Sequence, residues 1–420
     1  MSGADIVLPA GIAAATEPER DRAALLPIRY LPALDGLRAV AVLLVVASHA
    51  APAHVVPGGF GVTLFFFISG YLLTGQLADE YLRTGRIDFL GFYLRRMLRL
   101  LPAALVFILA SGAVFRAMGG SLTAAEWGSA LLYGANYYDI AAGYRSDLTV
   151  AGAHGPVAVA HPFSILWSLA VEEHFYLVWP LALLALLRWG GWRMAAGFLV
   201  LVCLIEPAWR AHLHALCQGP QPATACGAAP ALRIYAATDT RFDSLAFGAL
   251  AALLVVQSET RRFLAILRAR SAQAAALGLL AAGFLVRDET FRDVSRYSAQ
   301  GVAFLILVPA LLVGTSGLRR LLERRIPVLI GRLSYSIYLW HWLAGMVAAY
   351  AFAQAPLVQA LVYLVLTALL SALGWFAIER PMLRLRRRAG SAVPATEPVR
   401  PGAACAPAAP PRSMPPRDLG

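Results

Sequence analysis

Two ionisable residues stand in the first long apolar run of the chain, Leu34–Ala50: Arg38 near its start and His49 near its end. A charged or titratable side chain inside lipid costs about 2.5–3.5 kcal/mol even on the lenient insertion scale, so such residues are read first as functional. Their positions differ by eleven, close to three turns of helix, so both leave the same face roughly 16 Å apart along the axis. One helix then offers a cation near one membrane surface and a proton acceptor near the other. The plainer reading is an arginine that snorkels and a histidine at the far interface.

A second set follows in Trp167-Ser168-Leu169-Ala170-Val171-Glu172-Glu173-His174-Phe175-Tyr176, where two adjacent carboxylates and a histidine enter an apolar stretch. A carboxylate orients an imidazole and raises its basicity, as a general base for a hydroxyl requires, and the segment is expected at the depth of His49. An interfacial belt of aromatic and charged residues is the alternative. Arg95, Arg96 and Arg99 lead into the third apolar run; Arg96 and Arg99, three apart, share a face that either grips a polyphosphate or anchors the helix end. Asp239-Thr240-Arg241-Phe242-Asp243 opens another run, with Arg241 and Asp243 either paired with each other or in contact with a substrate. Gly248 and the alanines beyond it suit close helix packing. Finally Ser334, Tyr335, Tyr338 and His341 form a polar stripe that predicts a cavity lining, with His341 near mid-membrane.

The elements that position these groups follow from composition. Of 420 residues 59% are hydrophobic and 14% charged, with a mean hydropathy of +0.64, which excludes a soluble domain of this size. The net charge of +12 raises nucleic acid as a partner, but the arginines sit between apolar runs, as the positive-inside rule demands. Ten spans are expected: the run at Leu34–Ala50, 60–77, 100–115, 165–187, 193–210, 239–256, 273–287, 299–314, 331–352 and 356–378. With 123–142 not crossing, the connections 79–99, 188–193, 257–272 and 315–332 carry five, two, four and five arginines on one side. The reading is an all-α polytopic bundle with both termini cytoplasmic. It divides into a polar segment 1–30 with no signal peptide, a membrane domain 31–382, and a Pro/Ala/Arg-rich disordered tail 383–420. Cys217 and Cys226 then share an exterior loop where a disulfide is able to form; Cys203 and Cys405 have no metal-ligand company, and no metal site is expected.

Taken together in order and spacing, these motifs resemble the acyltransferase-3 family of integral membrane acyltransferases, over about residues 30–382. The resemblance rests on Arg38 and His49 with ten residues between, Phe66-Phe67-Ile68-Ser69-Gly70 and the Arg96–Arg99 pair. It continues through Trp167-Ser168-Leu169 with Glu172-Glu173, Arg241-Phe242-Asp243, Ser334-Tyr335 with Tyr338 and His341, and Glu379-Arg380-Pro381. It implies transfer of an acyl group, commonly acetyl, from acyl-CoA as co-substrate to a hydroxyl of an envelope glycan, a lipid or a macrolide-type molecule. No permanently bound cofactor is implied. On this reading Arg95, Arg96 and Arg99 hold the CoA phosphates, and Arg38 lies along the thioester arm. His49, oriented by Glu172 or Glu173, is the base, with Ser69, Trp167, Ser168, Arg241, Asp243, Ser334, Tyr335, Tyr338 and His341 lining the substrate path. Some members carry a further extracytoplasmic hydrolase-like domain; none is expected here, so the acceptor step falls in the membrane core. The expected setting is a bacterial inner membrane, with the lipid bilayer, acyl-CoA and a glycan or lipid-linked saccharide as partners and no nucleic acid. A flippase for a lipid-linked sugar is the rival reading, disfavoured by the lack of inverted repeats.

Overall fold

In the computed structural model, residues 30–50, 56–143, 148–152, 155–217, 226–256 and 260–388 are described. The expectations for residues 1–29 and for 389–420 of the tail, with Cys405, lie outside them; residues 383–388, expected to begin the disordered tail, instead continue the helix Arg380–Arg388. Among the described residues the regular structure is helical but for one antiparallel hairpin, β1 (Leu148–Gly152) and β2 (Gly155–Val159), in which Leu148 pairs with Val159. The helices are α1 (Pro32–Ala50), α2 (Gly58–Thr84), α3 (Phe89–Ala117), α4 (Ala124–Leu131), α5 (Ala135–Ala142), α6 (Leu166–Cys217), α7 (Pro230–Ala236), α8 (Phe242–Val256), α9 (Thr260–Arg268) and α10 (Arg270–Leu285). There follow α11 (Arg296–Val313), α12 (Gly317–Leu322), α13 (Arg325–Arg332), α14 (Ser334–Phe352), α15 (Pro356–Gly374) and α16 (Arg380–Arg388).

By length and composition six helices among the described residues are able to cross a membrane, and a seventh if the bent pair of α9 and α10, 69° apart, is one span. That is fewer than the expected ten, for identifiable reasons. Helix α6 has 52 residues, about 78 Å at 1.5 Å per residue, enough to cross twice. It breaks at Gly191, whose φ of 67° is open to glycine without a Cβ clash, and this is the expected 188–193 connection. Helix α8 is apolar but has only 15 residues, and α14 spends its polarity on Ser, Tyr, His and Trp side chains that face inward.

Packing brings α2 against α8 at the centre. A Cβ on Gly248 would overlap the Phe67 carbonyl, and one on Gly70 the Leu245 carbonyl, so these backbones approach as closely as small residues allow. This matches the close packing read from Gly248. Helix α1 begins beside α13, where Arg332 lies 3.6 Å from Asp35 and donates to Tyr30. It ends near a cap built from α4, α5, the hairpin and α7. Cys217 and Cys226 are joined by a disulfide at the edge of this cap. Within it Glu126 closes a capping box on Thr123 and also meets His161 at 3.3 Å. Burial, and then the charge of Glu126, push the Asp139 carboxyl up to about 7.

Candidate active site

A cavity of about 650 Å³ opens among α1, α2, α3, α6 and α14, a size at which small-molecule sites are common. Helix α3 supplies its charge. Asp88 caps that helix, accepting from the Gly91 amide at 3.0 Å, and lies 3.8 Å from Arg95. One turn on, Arg96 and Arg99 face the cavity, as their i, i+3 spacing requires, and Arg38 joins them from α1. The Arg96 guanidinium lies 3.8 Å from the centre of the Tyr176 ring, a cation–π contact that fixes it. At the mouth Arg83 is held by Asp79 at 2.7 Å. Arg38, Arg96 and Arg99 complete the cationic part of the wall, within electrostatic reach of Glu172.

The remaining wall is polar and ordered. Ser69 donates to Glu172 at 2.6 Å, and Tyr335 donates to the Leu100 carbonyl at 2.8 Å. Ser168 and Tyr338 share a short hydrogen bond, and Tyr338 also donates to the Ile165 carbonyl at 3.2 Å. The Ser334 hydroxyl is buried with no partner among the described residues, aimed at nothing the protein itself supplies.

His49 is elsewhere. Its side chain is exposed at the end of α1, and its ring neighbours are His341 and Trp342, each 5.2 Å away between centroids. The expectation that Glu172 or Glu173 orients it does not match this placement: Glu172 belongs to the arginine cavity, bonded to Ser69, and Glu173 lies within electrostatic reach of Arg96, Glu172 and Tyr133. His341, expected near mid-membrane, stands beside His49. From the Asp35–Arg332 contact, His341 lies about 14 Å up α14 and His49 about 21 Å up α1, a gap that tilt and side-chain reach close. Both rings have Nδ1 against the carbonyl four residues earlier, 2.8 Å to Val45 and 3.1 Å to Ile337. An oxygen there needs an N–H, so in the neutral rings the lone pair sits on Nε2.

Arg241 and Asp243 do not pair with each other. Arg241 donates to the Tyr235 carbonyl and to Thr63 and lies 3.9 Å from the centre of the Tyr297 ring and 5.6 Å from that of Trp167. Asp243 accepts from Arg210 at 2.8 Å and from Ser298 at 2.7 Å, all three on different helices. Of the expected substrate contacts, then, Ser69, Ser168, Ser334, Tyr335 and Tyr338 line the cavity, whereas Trp167, Arg241, Asp243 and His341 stand outside it. Reading by residue type missed Arg210, Glu206, the cavity residue Tyr176, and Glu379, which accepts from Ser336 in the core. Tyr176 closes the Glu172-Glu173 motif and Glu379 opens Glu379-Arg380-Pro381, whereas Arg210 stands in no motif.

An all-helical fold with several membrane-length helices and an arginine-lined, small-molecule-sized cavity in its bundle has the architecture of a multi-pass membrane protein. The chain belongs to the acyltransferase-3 family, whose acyltransferase domain it matches over residues 31–376. O-acetyltransferase OatA of Staphylococcus aureus strain NCTC 8325 / PS 47 is 30% identical over 370 residues, as is OatA of strain COL. A further protein of strain COL, provisionally named an O-acetyltransferase, is 28% identical over 366 residues. Each alignment covers 84% of this chain and 57% of the relative, so the chain spans little more than half the length of these curated relatives. No solved structure is significantly similar to it.

Proposed function

We propose that this chain is a membrane O-acyltransferase that moves an acyl group, acetyl by preference, from cytoplasmic acyl-CoA to a hydroxyl of an extracytoplasmic or lipid-linked glycan. The observation that carries the reading is the cavity into which Arg38, Arg96 and Arg99 converge beside Arg95. A guanidinium cluster is suited to the phosphates of CoA, and the uncharged hydroxyls deeper in the wall suit its pantetheine arm. The family match and the O-acetyltransferase names of the relatives support the reaction class. His49 is assigned as the base for the acceptor: its Nε2 lone pair is available and its side chain is exposed at the opposite end of α1 from Arg38.

The same reading places the protein in a bacterial inner membrane with ten crossings. Helix α6 counts twice and α8 and α14 complete the number, so that the basic helices α9, α12, α13 and α16 face the cytoplasm together with the cavity mouth. An impermeant thiol reagent applied outside should label Leu132→Cys in the cap but not Trp189→Cys at the Gly191 bend. The reverse pattern would invert the topology.

The donor site has its own test. Arg96→Ala/Arg99→Ala should weaken CoA binding at least tenfold, since hydrogen bonds to charged groups contribute about 1.5–3 kcal/mol each. The amount of protein in the membrane should hold, because the other arginines still set orientation. Unchanged CoA affinity by titration calorimetry would reduce the pair to an anchor.

A further inference from the structure

Between the donor cavity and His49 lies a gap that the reaction has to bridge. The cavity reaches Tyr338 and Ser168, which hold each other, and neither His341 nor His49 lines it. Beyond Tyr338 its ring centre is 5.7 Å from that of His341, and His341 is 5.2 Å from His49. A thioester halted at Tyr338 is therefore two ring-to-ring steps from an acceptor held on His49. Bond formation needs the reacting atoms within about 3–3.5 Å.

His341 occupies the midpoint with the properties of a nucleophile. It is fully buried, its Nδ1–H is committed to the Ile337 carbonyl, and its Nε2 has no hydrogen-bond partner among the described residues. A histidine kept only for packing would have both nitrogens satisfied or be replaced by an apolar ring, since a buried unpaired acceptor costs about 1–3 kcal/mol.

We propose that His341 carries the acyl group across this gap as a covalent acyl-imidazole. The proposal rests on the acyl-CoA donor reading above. In the first step Tyr338 swings aside and the Nε2 lone pair adds to the thioester carbonyl carbon. The C–S bond breaks, and CoA leaves as a thiolate that takes a proton from water on the cavity side. The acyl group now sits on Nε2 of a cationic ring whose Nδ1–H remains on Ile337. In the second step the acceptor oxygen adds to the same carbon while His49 Nε2 takes its proton. The N–C bond breaks, its electron pair returns to His341, and the ester departs. His49 releases its proton to solvent, so that thioester and alcohol have become thiol and ester.

The test needs no knowledge of the acceptor. The protein is incubated with acetyl-CoA and radiolabelled CoA, and label entering acetyl-CoA is measured; such exchange demands an acyl-enzyme. Wild type and His49→Gln should exchange, whereas His341→Gln should fall to background while binding CoA as wild type does. Acetyl label trapped in His49→Gln by rapid acid quench should map to the peptide containing His341, a reading that holds even where His341→Gln does not fold. Exchange by His341→Gln at the wild-type rate, or label on another residue, would overturn the relay. Acetyl transfer to membrane glycan by wild type without exchange would overturn it too and leave the donor reading standing. Wild-type protein that releases no thiol from acetyl-CoA would end the donor reading and the relay with it.

Discussion

His49→Gln should lose acetyl transfer to the membrane glycan fraction by about 10²–10⁴-fold, the usual contribution of a positioned general base. Glutamine keeps a side chain of similar reach with a hydrogen-bonding amide, but it takes no proton near neutral pH, so packing is spared and proton transfer is not. CoA affinity should stay at the wild-type level, because His49 is outside the cavity and touches His341 and Trp342 instead. Trp342 is itself tied to the cap through the His161 carbonyl at 2.9 Å, so the imidazole sits where bundle and cap meet rather than in the donor pocket. A loss confined to turnover, with binding intact, is the pattern expected of an interaction made only in the transition state. Transfer at close to the wild-type rate in His49→Gln would leave helix α1 as a spanning anchor and require another base.

What was legible in the sequence is what depends on one helix at a time. The eleven-residue separation of Arg38 and His49 put them at opposite ends of one face, and the structure has Arg38 in the cavity and His49 beyond it. The i, i+3 spacing of Arg96 and Arg99 aimed both into the same space, and Gly248 announced the α2–α8 contact. Helix-to-helix register was not legible. Glu172 was placed level with His49 by counting from the start of its apolar run, yet the packing of α6 against α2 sets it on Ser69 and among the arginines. Nothing in the sequence pairs His341 with His49; the entry of α14 beside α1, fixed by Arg332 and Asp35, brings the two rings together. Depth counted along one chain segment carries no information about where its neighbour begins. Arg210 shows the same limit: it stands 33 positions from Asp243, and nothing local distinguishes it from an arginine at a helix end.

That arginine leads to the second large effect, one on stability. Asp243→Asn should destabilise the protein by about 3–5 kcal/mol, the usual cost of removing one partner from a buried ion pair. Arg210 is fully enclosed, and its donors are distributed without surplus. Nε goes to the Val294 carbonyl at 2.8 Å, Nη1 to Glu206 and the Thr240 carbonyl, and Nη2 to Asp243 at 2.8 Å and Ser298 at 2.6 Å. Removing the Asp243 charge leaves two buried guanidiniums, Arg210 and Arg241, with only the buried Glu206 carboxyl, 3.3 Å from Arg210, still beside that residue. The cluster joins α6, α8 and α11, so its loss should loosen those helices together rather than fray one end. Arg210→Met/Asp243→Leu should cost less than the two single changes added, because the double variant buries neither of the two charges alone. Melting of the detergent-solubilised variants measures both. If Asp243→Asn melted with wild type and lost only acyl transfer, Asp243 would be a substrate contact, and the ion cluster would not be what holds α8 in place.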